Sequence, residues 1–179
     1  MLTDGRILLR PLQLSDADTM HAAVLESVAE VSPWLPWCHA GYSRADSIAF
    51  IDSALQSWAD GTQYQLGIFD WPQGHYVGAV GINHIARANR LANMGYWVRS
   101  SRTGQGIAVA AVHLATGYAF KVLGLTRLEI ACIPGNTRSR RVAEKSGAAL
   151  EAIARNRLVM HGQPHDAALY SLVPDRYTL

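Results

Sequence analysis

The stretch Ser101–Phe120, SRTGQGIAVAAVHLATGYAF, sets two glycines one residue apart and then runs through an alanine-rich segment with no breaker before Gly117. Glycines placed this way let a backbone approach a ligand closely. The helix that follows offers its unpaired first-turn N–H groups to an anion. A nucleoside triphosphate, a nicotinamide dinucleotide and coenzyme A all carry phosphates that such a loop can hold.

The flanking sequence alternates strand and helix signals. RILLRPL reads as a short strand, and Ser15 is placed to cap a helix over DADTMHAAVLESVAEV. SPWLPWC is an ordered loop with apolar anchors, and Ser43 caps a second helix whose buried stripe is Ile48, Ile51, Leu55 and Trp58. QYQLGIFD and HYVGAVGINH flank the turn WPQG as a hairpin, and ANMGYWVR is a third β-favouring run. After the glycine loop, Ile107, Ala111, Leu114, Tyr118 and Val122 mark a helix stripe closed by Gly124. TRLEIAC is a strand, NTRSRRVAEKSG a basic helix with Gly147 as its C-cap, and LEAIAR and DAALYSLV a last strand pair joined through HGQ. The order predicts one α/β (α+β) domain over residues 1–179, built on a single mixed sheet.

Composition narrows the function. A net charge of +2 is too small to point to nucleic acid. The longest apolar stretch, Ile107 to Phe120, falls short of the ~20 residues a membrane span needs, and the N-terminus has no signal-peptide pattern. Cys38 and Cys132 lack C-x-x-C spacing, which argues against a metal site and for reduced thiols in a cytoplasmic protein.

A triphosphate loop would continue as Gly-Lys-Ser/Thr, whereas Gly106 is followed by Ile107 and Ala108. The dinucleotide reading has Gly104-x-Gly106 opening a helix and Glu129 at a suitable distance for a ribose. Against it, Val109 occupies the third glycine position, Glu129 falls inside its strand, and the loop lies more than halfway along the chain. Either a nicotinamide-dependent oxidoreductase or a non-catalytic acyl-coenzyme A-binding module remains an alternative.

A longer pattern sets MGYWV before the loop and NTRS after the next strand. In this the segment from Met94 to about Ala152 resembles the Gcn5-related N-acetyltransferases, and within them the RimJ/RimL-like ribosomal-protein N-terminal acetyltransferases. The resemblance implies a mostly antiparallel sheet with splayed central strands, flanking helices, acetyl-CoA as cosubstrate and no metal. The family's pyrophosphate pattern falls on Thr103-x-x-Gly106-x-Ala108, with Thr103 where Gln or Arg is usual. It implies cofactor contacts from Trp97, Val98, Arg102, Thr103, Gly104, Gln105, Gly106, Ile107, Ala108, Asn136, Ser139 and Arg141. The Val98 backbone amide would polarise the thioester carbonyl, Ser139 would hydrogen-bond the departing thiolate, and Asn136 would bind the pantetheine amide. Asn136 or Ser139 would equally serve as a plain cap of the basic helix, whose arginines and Lys145 by default form a solvated face. Tyr170 is a further candidate for contact with sulfur or substrate, although a core position is its default. His84, His165 and Asp166 are candidates to relay the amine's proton, and Trp34, Trp37 and Trp58 to wall an acceptor cleft. Cys132 reads as a buried structural thiol rather than an acetyl carrier.

The implied acceptor is a primary amine: a protein N-terminus, such as that of a ribosomal protein, or alternatively a small-molecule amine. An α-amine has a pKa of about 7.7–8.0 against about 10.4 for lysine, so it needs less help to become neutral. The resemblance also leaves room for a homodimer.

Overall fold

In the computed structural model, which describes residues 1–174, eight strands form one sheet in the order β1-β2-β3-β4-β5-β6-β8-β7. The last five residues of the expected domain, 175–179, lie outside the described residues. The strands are β1 (Leu2–Thr3), β2 (Ile7–Pro11), β3 (Tyr64–Asp70), β4 (Tyr76–Ala86), β5 (Leu91–Val98), β6 (Arg127–Cys132), β7 (Ala149–Met160) and β8 (Gln163–Leu172). The helices are α1 (Ala17–Val31), α2 (Arg44–Ala59), α3 (Ile107–Lys121) and α4 (Thr137–Lys145). All neighbours pair antiparallel except β5 and β6, which α3 joins as a crossover. That βαβ unit is why the loop also fits a dinucleotide pattern.

Two apolar clusters lie on opposite faces of the sheet. One gathers Ile68, Ile82, Met94 and Leu128 under α3, and the other gathers Leu12, Met20, Val24, Phe69, Tyr76 and Trp97 under α1 and α2. The central strand β4, covered on both sides, is buried throughout Tyr76–Ile82.

Several local expectations shift. The chain turns into α1 through a 3-10 turn at Leu14–Asp16. There Asp16, not Ser15, accepts the Gln13 N–H at 2.8 Å and the Arg10 guanidinium at 2.7 Å. Ser43 does cap α2, with Asp46 returning a bond to its N–H. In α3 the fully buried positions are Ala111, Val112, Ala115 and Ala119, while Val122 lies beyond the helix and is 64% exposed. The stripe is therefore one of small side chains, rotated from the one expected.

The feature that positions the site is a separation of strands. β5 pairs with β6 only at Leu91↔Arg127, Ala92↔Leu128 and Asn93↔Glu129, although β5 continues to Val98 and β6 to Cys132. On its other edge β5 stays bound to β4 as far as Gly78↔Val98. Here Gly78, at φ +152°, lets the two backbones come so close that an added Cβ would stand 2.2 Å from the Trp97 carbonyl oxygen.

Candidate active site

A cavity of about 670 Å³ runs through the gap between β5 and β6. Its floor is Met94–Val98 and Ile130–Cys132, which do not pair with each other. One wall is the loop at Thr103, Gly104 and Gly106, the start of α3 at Ile107–Val109, and the face of α4 with Asn136 and Ser139. The other wall brings Glu30, Val31, Trp34, Leu35 and Pro36 from the end of α1 against Leu158 and Met160 of β7. Elements far apart in sequence meet at one slot.

The loop is shaped for an anion. Gly104 and Gly106 both have φ +76°, and Gly106 sits at the N-cap of α3 with no side chain capping the helix. The first intrahelical bond is Ala110 N–H to the Gly106 carbonyl, so the N–H groups of Ile107, Ala108 and Val109 have no partner within the helix. Exposed Arg138, Arg141 and Lys145 line the same side and add positive charge. Thr103 turns its hydroxyl to the Ser100 carbonyl at 3.0 Å. Arg102 lines the cavity but its guanidinium bonds Asp70, which also accepts the His75 N–H. Gln105 is not among the lining residues and leans toward the Ser101 carbonyl.

Val98 and Ser139 face each other across the slot. Arg99 N–H donates to the Val77 carbonyl of β4 at 2.9 Å. Because successive amides point to opposite edges of a strand, the Val98 N–H is aimed into the gap. Asn136 caps α4 through its side-chain carbonyl, which accepts the Ser139 N–H at 3.1 Å, and this leaves its amide N–H₂ free to donate. Behind Ser139 stand Tyr96, whose hydroxyl reaches the Ser139 carbonyl, and Cys132. Burial raises the pKa of the Cys132 thiol, opposed in part by the Ser139 hydroxyl, so it stays a thiol at neutral pH.

Tyr170 lies outside the cavity. Fully buried, it donates to Glu144 at 2.8 Å and accepts from Arg140 at 3.0 Å, tying β8 to α4. His84, His165 and Asp166 do not line the cavity either, and Asp166 instead accepts the Asn156 N–H. The tryptophans separate: Trp34 lines the wall, Trp37 packs edge-on to Trp97, and Trp58 packs edge-on to Tyr64 and tilted against Tyr118 in the other apolar cluster. Sequence reasoning missed Tyr96, Glu30, Leu158 and Met160. For Tyr96 a signal existed, since it lies two residues before Val98 and hence on the same face of β5. Among the described residues no three of His, Cys, Asp or Glu gather as a metal site, and no helix is long and apolar enough to cross a membrane.

Comparison with known proteins agrees with this geometry. The acetyltransferase (GNAT) domain model matches residues 6–149. YdaF of Bacillus subtilis (strain 168), provisionally named a ribosomal N-acetyltransferase, is 30% identical over 169 residues, covering 93% of this chain and 91% of its own length. Among solved structures, RimL, a ribosomal L7/L12 alpha-N-protein acetyltransferase in complex with coenzyme A through a disulfide to a cysteine, superposes with a TM-score of 0.86 at 26% identity. That match covers 98% of this chain and 97% of RimL. RimJ of Mycobacterium smegmatis, in complex with a coenzyme A disulfide, gives a TM-score of 0.86 at 27% identity, covering 97% of this chain and 84% of RimJ.

Proposed function

This chain belongs to the acetyltransferase (GNAT) family, and from that premise we propose that it moves the acetyl group of acetyl-CoA directly to the α-amine of a protein N-terminus. The observation that carries the reading is the slot between β5 and β6, with an uncapped helix N-terminus on one wall and an apolar cleft on the other. In this reading the loop amides and α3 hold the pyrophosphate, Arg138, Arg141 and Lys145 meet the remaining phosphate, and the pantetheine arm lies between the strands with Asn136 donating to its amide. RimL holds coenzyme A in a disulfide with a cysteine. Cys132 is the cysteine lining this cavity, which supports placing the coenzyme sulfur at the end of β6, beside Ser139.

The neutral acceptor amine comes from the side of Trp34, Pro36 and Leu158, attacks the thioester carbonyl and gives its proton to solvent water as the carbon–nitrogen bond forms. The Val98 N–H stabilises the developing oxyanion. As the tetrahedral intermediate collapses, the carbon–sulfur bond breaks and the Ser139 hydroxyl donates to the sulfur. A serine is too weak an acid to act by pKa matching, so it works as a positioned donor to the charge that develops. An α-amine is already partly neutral near pH 7, which suits a wall carrying a single carboxylate, Glu30. The chain's relation to ribosomal-protein acetyltransferases supports a protein acceptor.

The test follows release of free thiol from acetyl-CoA with free-N-terminus peptides, the same peptides N-terminally blocked but containing lysine, and small amines. Turnover confined to free N-termini supports the proposal, and turnover confined to small amines overturns the acceptor. Ser139→Ala is expected to lower kcat while leaving acetyl-CoA affinity nearly intact, and a loss of affinity at unchanged kcat would make Ser139 a binding residue instead.

A further inference from the structure

The reaction just described needs two separate donors, the Val98 amide on β5 in the floor of the slot and the Ser139 hydroxyl on α4, which follows β6. The two strands are no longer hydrogen-bonded to each other there, since pairing of β5 with β6 ends at Asn93. Something else must fix the distance across the slot. Tyr96 stands two residues before Val98 on the same face of β5 and extends across to α4. Its hydroxyl lies 2.9 Å from the Ser139 carbonyl oxygen and 3.3 Å from Ser139 Oγ.

We infer that Tyr96 is a positioning residue for thiolate departure, holding the first turn of α4 against β5 and setting the direction of the Ser139 hydroxyl. The inference rests on the proposed role of Ser139. The shorter contact assigns the phenol proton to the Ser139 carbonyl, a main-chain acceptor on the turn that Asn136 caps. The phenol oxygen then accepts from the Ser139 hydroxyl in the resting enzyme. When charge grows on sulfur, that hydroxyl rotates to the thiolate while the phenol keeps the turn in place. Burial raises the tyrosine's pKa well above its ordinary value, so it remains a phenol throughout. No proton leaves Tyr96 in this scheme. The thiolate is stabilised by the Ser139 hydrogen bond and takes its proton after coenzyme A is released.

A phenylalanine at this position keeps the ring and removes only the hydroxyl. Wild type, Tyr96→Phe, Ser139→Ala and the double variant are compared with whichever acceptor turns over fastest in the panel above. The measurements are kcat, coenzyme A affinity by calorimetry and melting temperature. Tyr96→Phe is expected to lose roughly tenfold or more in kcat with coenzyme A affinity within about twofold of wild type. The double variant is expected to be no slower than Ser139→Ala, because residues acting as a unit are not additive. If Ser139→Ala is slow while Tyr96→Phe is normal, the inference falls and the Ser139 reading stands. If Ser139→Ala is normal, both fall. Losses that multiply in the double variant, or a kcat loss accompanied by failure to fold or to bind coenzyme A, make Tyr96 a packing residue and also overturn the inference.

Discussion

Replacing Gly78 with alanine tests whether the contact of β4 with β5 sets the catalytic geometry. The new Cβ would stand 2.2 Å from the Trp97 carbonyl oxygen and 2.9 Å from Val98 Cα, where 3.4 Å begins ordinary contact. These are backbone atoms in the middle of a sheet, so relief requires β5 to retreat by about 1 Å. Overpacking of this kind costs about 1–3 kcal/mol, and holding alanine at a φ of +152° adds a similar amount. A total of about 2–6 kcal/mol should lower the melting temperature by roughly 4–24 °C, at about 2–4 °C per kcal/mol for a domain of this size. The same shift moves the Val98 amide away from the position of the oxyanion, and a displacement of about 1 Å can slow a reaction by about 10²-fold. Differential scanning fluorimetry and kcat at saturating acetyl-CoA read the two effects. Gly117→Ala is the control, since its Cβ meets nothing within 4 Å and alanine favours the helix by about 1 kcal/mol, raising the melting temperature. A Gly78→Ala protein that melts and turns over like wild type would refute the reasoning.

Gly106→Ala has open space around its Cβ but must hold φ +76°, at a cost of about 1–2 kcal/mol. Acetyl-CoA affinity should fall about tenfold with kcat at saturation little changed, and calorimetry showing unaltered affinity would contradict the anion-loop assignment. Trp34→Ala should raise the acceptor KM by tenfold or more while leaving acetyl-CoA affinity alone. An effect on acetyl-CoA affinity instead would place Trp34 on the donor side. Glu26 is held at about 2, below its ordinary 4.5, by the Arg99 side chain and then by its contacts with Ser101. Its folded pKa is depressed, so its stabilisation is full above pH 4.5 and is lost as pH falls toward about 2. Thermal melts of Glu26→Gln across that window should depend less on pH than those of wild type, and parallel curves would remove Glu26 from the acid response.

The local geometry of the proposed donor half was legible because it is written in one stretch of chain and in residues chosen for backbone freedom. Gly104 and Gly106 adopt the conformations that only glycine takes cheaply, Gly147 likewise has positive φ after α4, and Asn136 caps the helix that presents Ser139. The contacts that the sequence did not show are those whose partners lie elsewhere in the chain. Arg102 has charge beside the loop, yet Asp70, more than thirty residues earlier, engages its guanidinium. Tyr170 has the chemistry of an acid, but β8 directs it to Arg140 and Glu144 rather than into the slot. The expected α3 stripe follows Leu114 and Tyr118, whereas the side chains that pack fully against the core are the small Ala111, Val112, Ala115 and Ala119.

The acceptor half was illegible for a different reason. The family match ends at residue 149, before β7 contributes Leu158 and Met160, and the opposing wall comes from a turn near the start of the chain. Loops that vary freely on a fixed scaffold carry specificity, so family membership constrains the donor far more than the acceptor. The two halves are nonetheless tied together through α1. Glu26 and Ser27 accept the Ser101 and Ser100 N–H groups at 2.8 and 3.1 Å, and Glu30 accepts the Ser100 hydroxyl at 2.6 Å. Just past its end at Val31, the turn that follows brings Trp34 and Pro36 to the opposing wall. Wall and loop are therefore both anchored at the C-terminal end of α1. On the proposed reading, acceptor specificity would change through Trp34, Pro36, Leu158 and Met160 without disturbing the bonds between α1 and the loop at Ser100 and Ser101.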